Sequence, residues 1–123
     1  MMSILKIINT YIYRKKEWNK FYNNWKSRNA HNNVVPKNIF DMDRVSIGSY
    51  SYGLLELIAY NPNGKDKLII GNFVSILSNV RFLLDEYHQI NTFTTFPLKS
   101  ILLGKQSESD AISRGSIVIE DEV

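Results

Sequence analysis

The first 25 residues carry apolar and polar side chains with a helical period. Residues three or four positions apart share one face of an α-helix. The large apolar residues of this segment recur at alternating spacings of four and three positions, and Lys15 occupies the one position of this series that is not apolar. That spacing predicts a helix over residues 4–25, with an apolar stripe formed by Ile4, Ile8, Tyr11, Trp18, Tyr22 and Trp25. An Asn-rich stretch and then Val34-Val35-Pro36 predict the end of the helix and an extended linker.

The helical period disappears beyond residue 37. Short segments rich in Ile, Val and aromatic side chains replace it, as is typical of β-strands. We therefore divide the chain into residues 1–37, a basic amphipathic helix with its linker, and residues 38–123, a β domain.

A six-residue repeat recurs in the β domain. Each unit has an aliphatic residue, then Gly or another small or acidic residue, and a small residue or Val at its fifth position. Units begin at Ile47, Ile70 and Ile76, the last with Leu77 where Gly is usual, and a further one begins at Ile119. This spacing is typical of a triangular solenoid, in which each unit forms one flat face and a turn. We expect Gly at the second position to supply the backbone freedom that the turn needs.

An alternative stays open on the repeats alone, since short strands of an ordinary β-sandwich could carry Ile-Gly pairs by chance. Residues 82–98 add to the pattern because they interrupt the hexads directly after a coil. Inserted loops of this kind are where a solenoid usually carries its function.

Together these segments resemble the xenobiotic and polysaccharide O-acetyltransferase branch of the hexapeptide-repeat acyltransferases, over about residues 40–123. The matching pieces are IGNFVSI (70–76), FLL (82–84), His88 and TTFPL (94–98), and SIGSYSYG (46–53) is similar to the first coil of that branch. The chain departs from the family pattern at Val74, where Cys or Ala is usual, and at Leu77. The resemblance implies a mainly β fold, a left-handed parallel β-helix preceded by the N-terminal α-helix.

The resemblance also implies an enzyme that moves acetyl from acetyl-CoA to a hydroxyl of a sugar in a surface polysaccharide or its precursor. His88 would be the general base, because a neutral imidazole can take the hydroxyl proton as the oxygen attacks the thioester. The candidate acceptor-binding residues are Tyr50, Tyr52, Asp85, Asn91 and Phe96. The family implies a homotrimer with each site between two subunits, and we expect the acetyl-CoA site beyond Val123, in coils that a fragment would lack.

Simpler interpretations stand beside these. A histidine in a loop often has no role, and Tyr50 and Tyr52 could be ordinary packing residues. His31, in the Asn-rich linker, is expected to be solvated. A non-catalytic β-solenoid that assembles or binds sugar is a function of a different class, and an antibiotic acetyltransferase of the same family is a third alternative.

The charge distribution and the composition limit the classes of partner that we expect. Residues 1–37 hold eight Lys and Arg against Glu17 alone, a net +7, whereas residues 38–123 sum to −4. A basic helix with Trp and Tyr predicts either a stripe packed on the solenoid, which we favour, or peripheral membrane contact through residues 4–25. No nucleic-acid partner is expected beyond weak attraction. The chain has no cysteine, which favours a cytoplasmic location, and its two histidines give no metal-ligand spacing, so no metal is expected.

Overall fold

A computed structural model describes residues 3–85 and 115–123. The elements, in chain order, are α1 (Ile4–Arg28), β1 (Asn33–Pro36), a 3-10 turn (Met42–Arg44), β2 (Val45–Ile47), β3 (Tyr52–Ala59), β4 (Leu68–Ile70), β5 (Ser75–Ile76), β6 (Arg81–Leu84) and β7 (Ile117–Ile119). Three of the predicted site residues, His88, Asn91 and Phe96, lie outside the described residues.

Helix α1 has a cap at each end. The Ser3 hydroxyl accepts a hydrogen bond from the backbone N–H of Lys6 at 3.2 Å, which satisfies one of the free donors of the first turn. At the other end the backbone N–H of Asn29 donates to the carbonyl of Trp25 at 2.9 Å. Lys26 and Arg28 lie in the last turn, where positive charge complements the helix dipole.

The apolar stripe of α1 is buried only near its C-terminal end. Phe21 and Trp25 are the buried residues of the helix, and the Trp25 indole N–H donates to the carbonyl of Val34 at 2.8 Å. The ring of Phe40 meets both aromatic rings edge-on, with centroids 5.1 and 5.4 Å away. The expectation that the whole stripe packs on the β region is therefore wrong for Ile4, Ile8 and Tyr11, which are exposed because the helix extends past the strands it packs on.

Every strand pairing in the described residues is parallel. One path runs β1-β3-β5, a second runs β2-β4-β7, and β6 pairs with the second half of β3. Hydrogen bonds beside these ladders join Asn38 to Leu57 across 19 residues and Ser49 to Asn72 across 23, and the register partners Glu56 and Arg81 are 25 apart. Parallel neighbours need a connection long enough to bring the chain back to the end of the sheet where the first strand began, and these separations allow it.

The first residues of three hexads are register partners. Ile47 pairs with Ile70, and Ile70 pairs with Ile119. Equivalent positions of the repeat therefore stack on one another, and Ile47 and Ile70 are buried. That these ladders belong to a left-handed β-helix stays a prediction.

The glycines of the hexads allow neighbouring segments of the chain to approach them closely, and they do not supply a special backbone conformation. A Cβ on Gly48 would lie 2.5 Å from the carbonyl carbon of Gly71 in the next strand connection, and one on Gly71 would meet the Asp121 carboxylate. Neither glycine has a positive φ, and the left-handed conformation falls two residues later, at Tyr50 (64°) and Phe73 (57°). The expectation that Gly supplies the backbone freedom of this turn is therefore wrong, since the turn is made by residues that carry side chains.

One hydrophobic core joins the helix to the strands. Its buried members come from α1, from β1 to β6 and from the turn before β5, namely Trp25, Val34, Ile47, Leu55, Leu57, Leu68, Ile70, Val74, Ile76 and Leu84. Ile117 and Ile119 of β7 are partly buried and pack against it. This core positions the turn between β2 and β3, where two of the predicted site residues lie.

Candidate functional site

Tyr50 and Tyr52 are displayed on the surface at the turn between β2 and β3. Their exposed fractions are 67% and 56%, so neither is a packing residue of the core. Tyr52 is the first residue of β3, and its backbone N–H donates to the carbonyl of Val74 at 2.9 Å. Whether these side chains contact an acceptor stays a prediction.

Tyr50 stacks on Phe73. The ring centroids are 5.2 Å apart with an interplanar angle of 16°, and Phe73 is 57% exposed. Both residues have positive φ, as has Glu122 at the same place of the Ile119 unit, so this backbone conformation belongs to the turn of the repeat. We name this pair the aromatic stack. Sequence reasoning did not single out Phe73, although the hexad alignment held the signal, since Tyr50 and Phe73 are both the fourth residue of their unit.

Side-chain hydrogen bonds hold the backbone of these turns. The Asn72 amide oxygen accepts from the backbone N–H of Ser49 at 2.7 Å, and the Asp121 carboxylate accepts in the same way from Asn72 at 2.7 Å. The fully buried Ser51 hydroxyl donates to the carbonyl of Gly71 at 2.7 Å and accepts from the N–H of Val74 at 3.0 Å. Buried polar groups with all partners present rigidify their surroundings. The aromatic stack therefore stands on a fixed backbone.

His31 lies beside the aromatic stack. It lines a shallow depression of about 320 Å³ together with Ala30, Asn32, Asn33, Ser49 and Tyr50. Its Nε2 is 2.7 Å from the carbonyl oxygen of Ile47, which can only accept, so Nε2 carries a proton and donates. In the neutral ring Nδ1 is then free of its proton. His31 is exposed, as expected for a solvated residue, but its ring also has this fixed partner.

Asp85 has a structural partner. Both carboxylate oxygens accept from one guanidinium nitrogen of Arg44, at 2.9 and 3.0 Å, and the two side chains are 5% and 7% exposed. The remaining nitrogens of Arg44 donate to the carbonyls of Asp66 and Asn61 at 2.7 and 3.2 Å. The role predicted for Asp85, contact with the acceptor, stays a prediction, but the carboxylate is already neutralised and largely shielded from solvent.

The described residues include neither a metal cluster nor a helix that could cross a membrane. Over residues 3–85 and 115–123 no group of three or more His, Asp or Glu is placed to hold a metal ion. No helix in the same part of the chain is long and apolar enough to cross a bilayer.

Comparison with known proteins assigns no family. No family model matches the chain, and no curated protein or solved structure is significantly similar to it.

Proposed function

We propose that this protein is a hexapeptide-repeat O-acetyltransferase that moves the acetyl group of acetyl-CoA to a hydroxyl of a sugar. The acceptor in this proposal is a surface polysaccharide or its precursor, the fold is a left-handed parallel β-helix, and the active assembly is a homotrimer. The observation that carries the proposal is the stacking of hexad on hexad, with Ile47, Ile70 and Ile119 as direct register partners.

The pairing distances support a coil built of hexads. Three faces of six residues make a repeat of about 18 residues, and Asn38 and Leu57 bond across 19. The separation of 23 residues between Ser49 and Asn72 also contains the residues that connect β3 to β4, and the separation of 49 between Asn72 and Asp121 contains residues 86–114, among them His88. An ordinary sandwich is a weaker explanation because its strands are antiparallel, whereas every described pairing here is parallel.

His88 is the general base in this proposal. Its neutral imidazole takes the proton of the sugar hydroxyl while that oxygen attacks the thioester carbonyl. The carbon–sulfur bond then breaks, the ester forms, and the CoA sulfur leaves with the proton that the imidazole returns. No covalent enzyme intermediate is needed, since a thioester is reactive enough for direct attack.

The aromatic stack supports a sugar acceptor. Tyr50 and Phe73 offer exposed rings on a rigid backbone, and aromatic side chains combine a large contact area with few rotatable bonds. Tyr52, Asn91 and Phe96 are the further acceptor residues in the proposal. Asp85 would affect the acceptor only indirectly, by holding the end of β6 in place together with Arg44, because both of its oxygens already accept hydrogen bonds from Arg44.

The test compares the two histidines. Release of CoA from acetyl-CoA, corrected for hydrolysis, is measured against a panel of sugars and oligosaccharides, for this chain and for a longer version where the gene continues beyond Val123. The variants His88→Ala and His31→Gln are made in the form that is active. We expect His88→Ala to lower the transfer rate by about 10²- to 10⁴-fold, with an unchanged oligomer by light scattering, and His31→Gln to stay within about threefold of wild type. Loss with His31→Gln and retention with His88→Ala would move the base to the depression beside Tyr50.

The second candidate, a sugar-binding module without catalysis, is favoured by one observation, the exposed aromatic stack. It predicts saturable binding of oligosaccharides that Tyr50→Ala and Phe73→Ala weaken, with no CoA released under any condition. Transfer by the unaltered protein that depends on His88 would exclude it.

A further inference from the structure

The N-terminal part of α1 presents an uncovered apolar surface. We name residues 4–16 the arm. Seven of its apolar side chains are between 44% and 77% exposed, namely Ile4, Leu5, Ile7, Ile8, Tyr11, Ile12 and Tyr13. A contiguous exposed apolar surface of this kind usually marks an interaction site.

The arm is amphipathic and acid-free. At 100° per residue six of these side chains fall within roughly 160° of the helix circumference, and only Tyr13 lies on the other side. Arg14 and Lys16 lie at the two edges of that arc, and Lys6 lies on the opposite side. No Asp or Glu occurs before Glu17, so the arm carries four positive charges and no negative one.

We propose that the arm binds to the surface of an anionic lipid bilayer, with its helix axis in the plane of the interface. The apolar arc would enter the boundary between headgroups and acyl chains, while Arg14 and Lys16 contact lipid phosphates. Tyr11 suits the same depth because its ring is apolar and its hydroxyl is polar. In this proposal only the arm contacts the bilayer, because the part of α1 from Phe21 onwards packs on the protein core.

Lys15 favours a lipid partner over a protein partner. It lies near the middle of the apolar arc, one turn beyond Tyr11 and Ile12, and it has no acid three or four residues away. Packing this arc on an apolar protein surface would bury the ammonium group, which is costly, and the arm itself supplies no counterion. In a bilayer the long side chain reaches back to the phosphates while its methylene groups stay in the apolar layer.

The test is co-sedimentation of the intact protein with two kinds of vesicle, pure phosphatidylcholine and phosphatidylcholine with about 30 mol% phosphatidylglycerol. We expect at least about tenfold tighter binding to the anionic vesicles at low salt, and a loss of that advantage at high salt because the charges are screened. The variant Ile8→Gln/Ile12→Gln removes apolar area from the arm while keeping helix propensity, and we expect it to weaken binding at least about tenfold. The control variant Asn9→Gln/Thr10→Gln alters the polar side of the same turns and should bind as wild type does.

The proposal does not depend on acetyl transfer, and the assay contains no acetyl-CoA. It is overturned if anionic and neutral vesicles bind equally, or if the double Ile variant binds as tightly as the control. It is also overturned if the wild-type protein does not bind anionic vesicles. If, in that case, the double Ile variant changes the oligomeric state measured by light scattering, a second copy of the chain covers the arm. Far-UV circular dichroism and Trp fluorescence check that both variants fold.

Discussion

At the scale of single residues, the polar groups with the largest consequences are those that bond far along the chain. Arg44 and Asp85 are 41 positions apart and form a buried ion pair. Asp85 could be singled out from the sequence as a carboxylate near His88, but its partner could not, because nothing local to either residue indicates the other. The structure gives this carboxylate the task of fixing the chain at the end of β6.

Asp85→Asn should destabilise the protein by about 3 kcal/mol, because it leaves the buried guanidinium without a counter-charge. Asn tolerates the left-handed backbone that Asp85 adopts at φ 66°, so the loss reports the charge and not strain. Urea unfolding followed by fluorescence measures it.

The matched control is Asp43→Asn. Its pair with Arg28 is 2.6 Å long but solvent-exposed, with side chains 79% and 52% accessible, so we expect a cost of at most about 1 kcal/mol. Equal losses for the two variants would mean that burial does not decide the contribution of these pairs.

At the scale of elements, α1 consists of two parts with different surroundings. The apolar spacing predicts one helix with one stripe, and the helix does run continuously over Ile4–Arg28. Only the end that carries Phe21 and Trp25 meets the strands. Periodicity reports which side of a helix is apolar, whereas the length of the surface that faces it depends on the rest of the fold.

Trp25→Phe should lower the free energy of unfolding by about 2–3 kcal/mol, because the buried carbonyl of Val34 loses its donor and a cavity opens in the core. Trp25 is 2% exposed and lies against Phe21 and Phe40.

Trp18→Phe is the control, since Trp18 is only half-buried and stacks on Tyr22 within the helix. We expect it to cost less than about 1 kcal/mol. A larger loss for Trp18→Phe than for Trp25→Phe in thermal or urea unfolding would contradict the anchoring of α1 through Trp25.

At the scale of the whole molecule, the parallel ladders and the C-terminal end of α1 share one core and should unfold together. The arm makes no part of that core, and an isolated helix of its length is marginal in water. Stability should therefore be uneven, with low values in the arm and the global value in the strands.

Two probes should accordingly give different unfolding curves. On heating, we expect helical circular dichroism to fall gradually before the main transition, while the fluorescence of Trp25, measured in the Trp18→Phe background, changes in a single step. Anionic vesicles should suppress the early loss of helicity. Superimposable curves would show that the arm is part of the cooperative unit.

Some features of this protein follow from the sequence by itself. The helical spacing of residues 4–25 predicts α1, and the hexad pattern marks Ile47, Ile70 and Ile119 as equivalent first positions, which are register partners although unequal lengths of chain separate them. Both features are periodic in the sequence. A period predicts the local secondary structure and identifies residues that occupy equivalent positions in successive repeats.

Only the tertiary structure decided the rest. It paired Arg44 with Asp85, set Phe73 against Tyr50, gave the hexad glycines their role in close approach, and left the arm uncovered. Each of these depends on which surfaces meet when distant segments pack. That outcome is set by the shape of the assembled core and by the reach of side chains across it, neither of which is encoded in any local pattern.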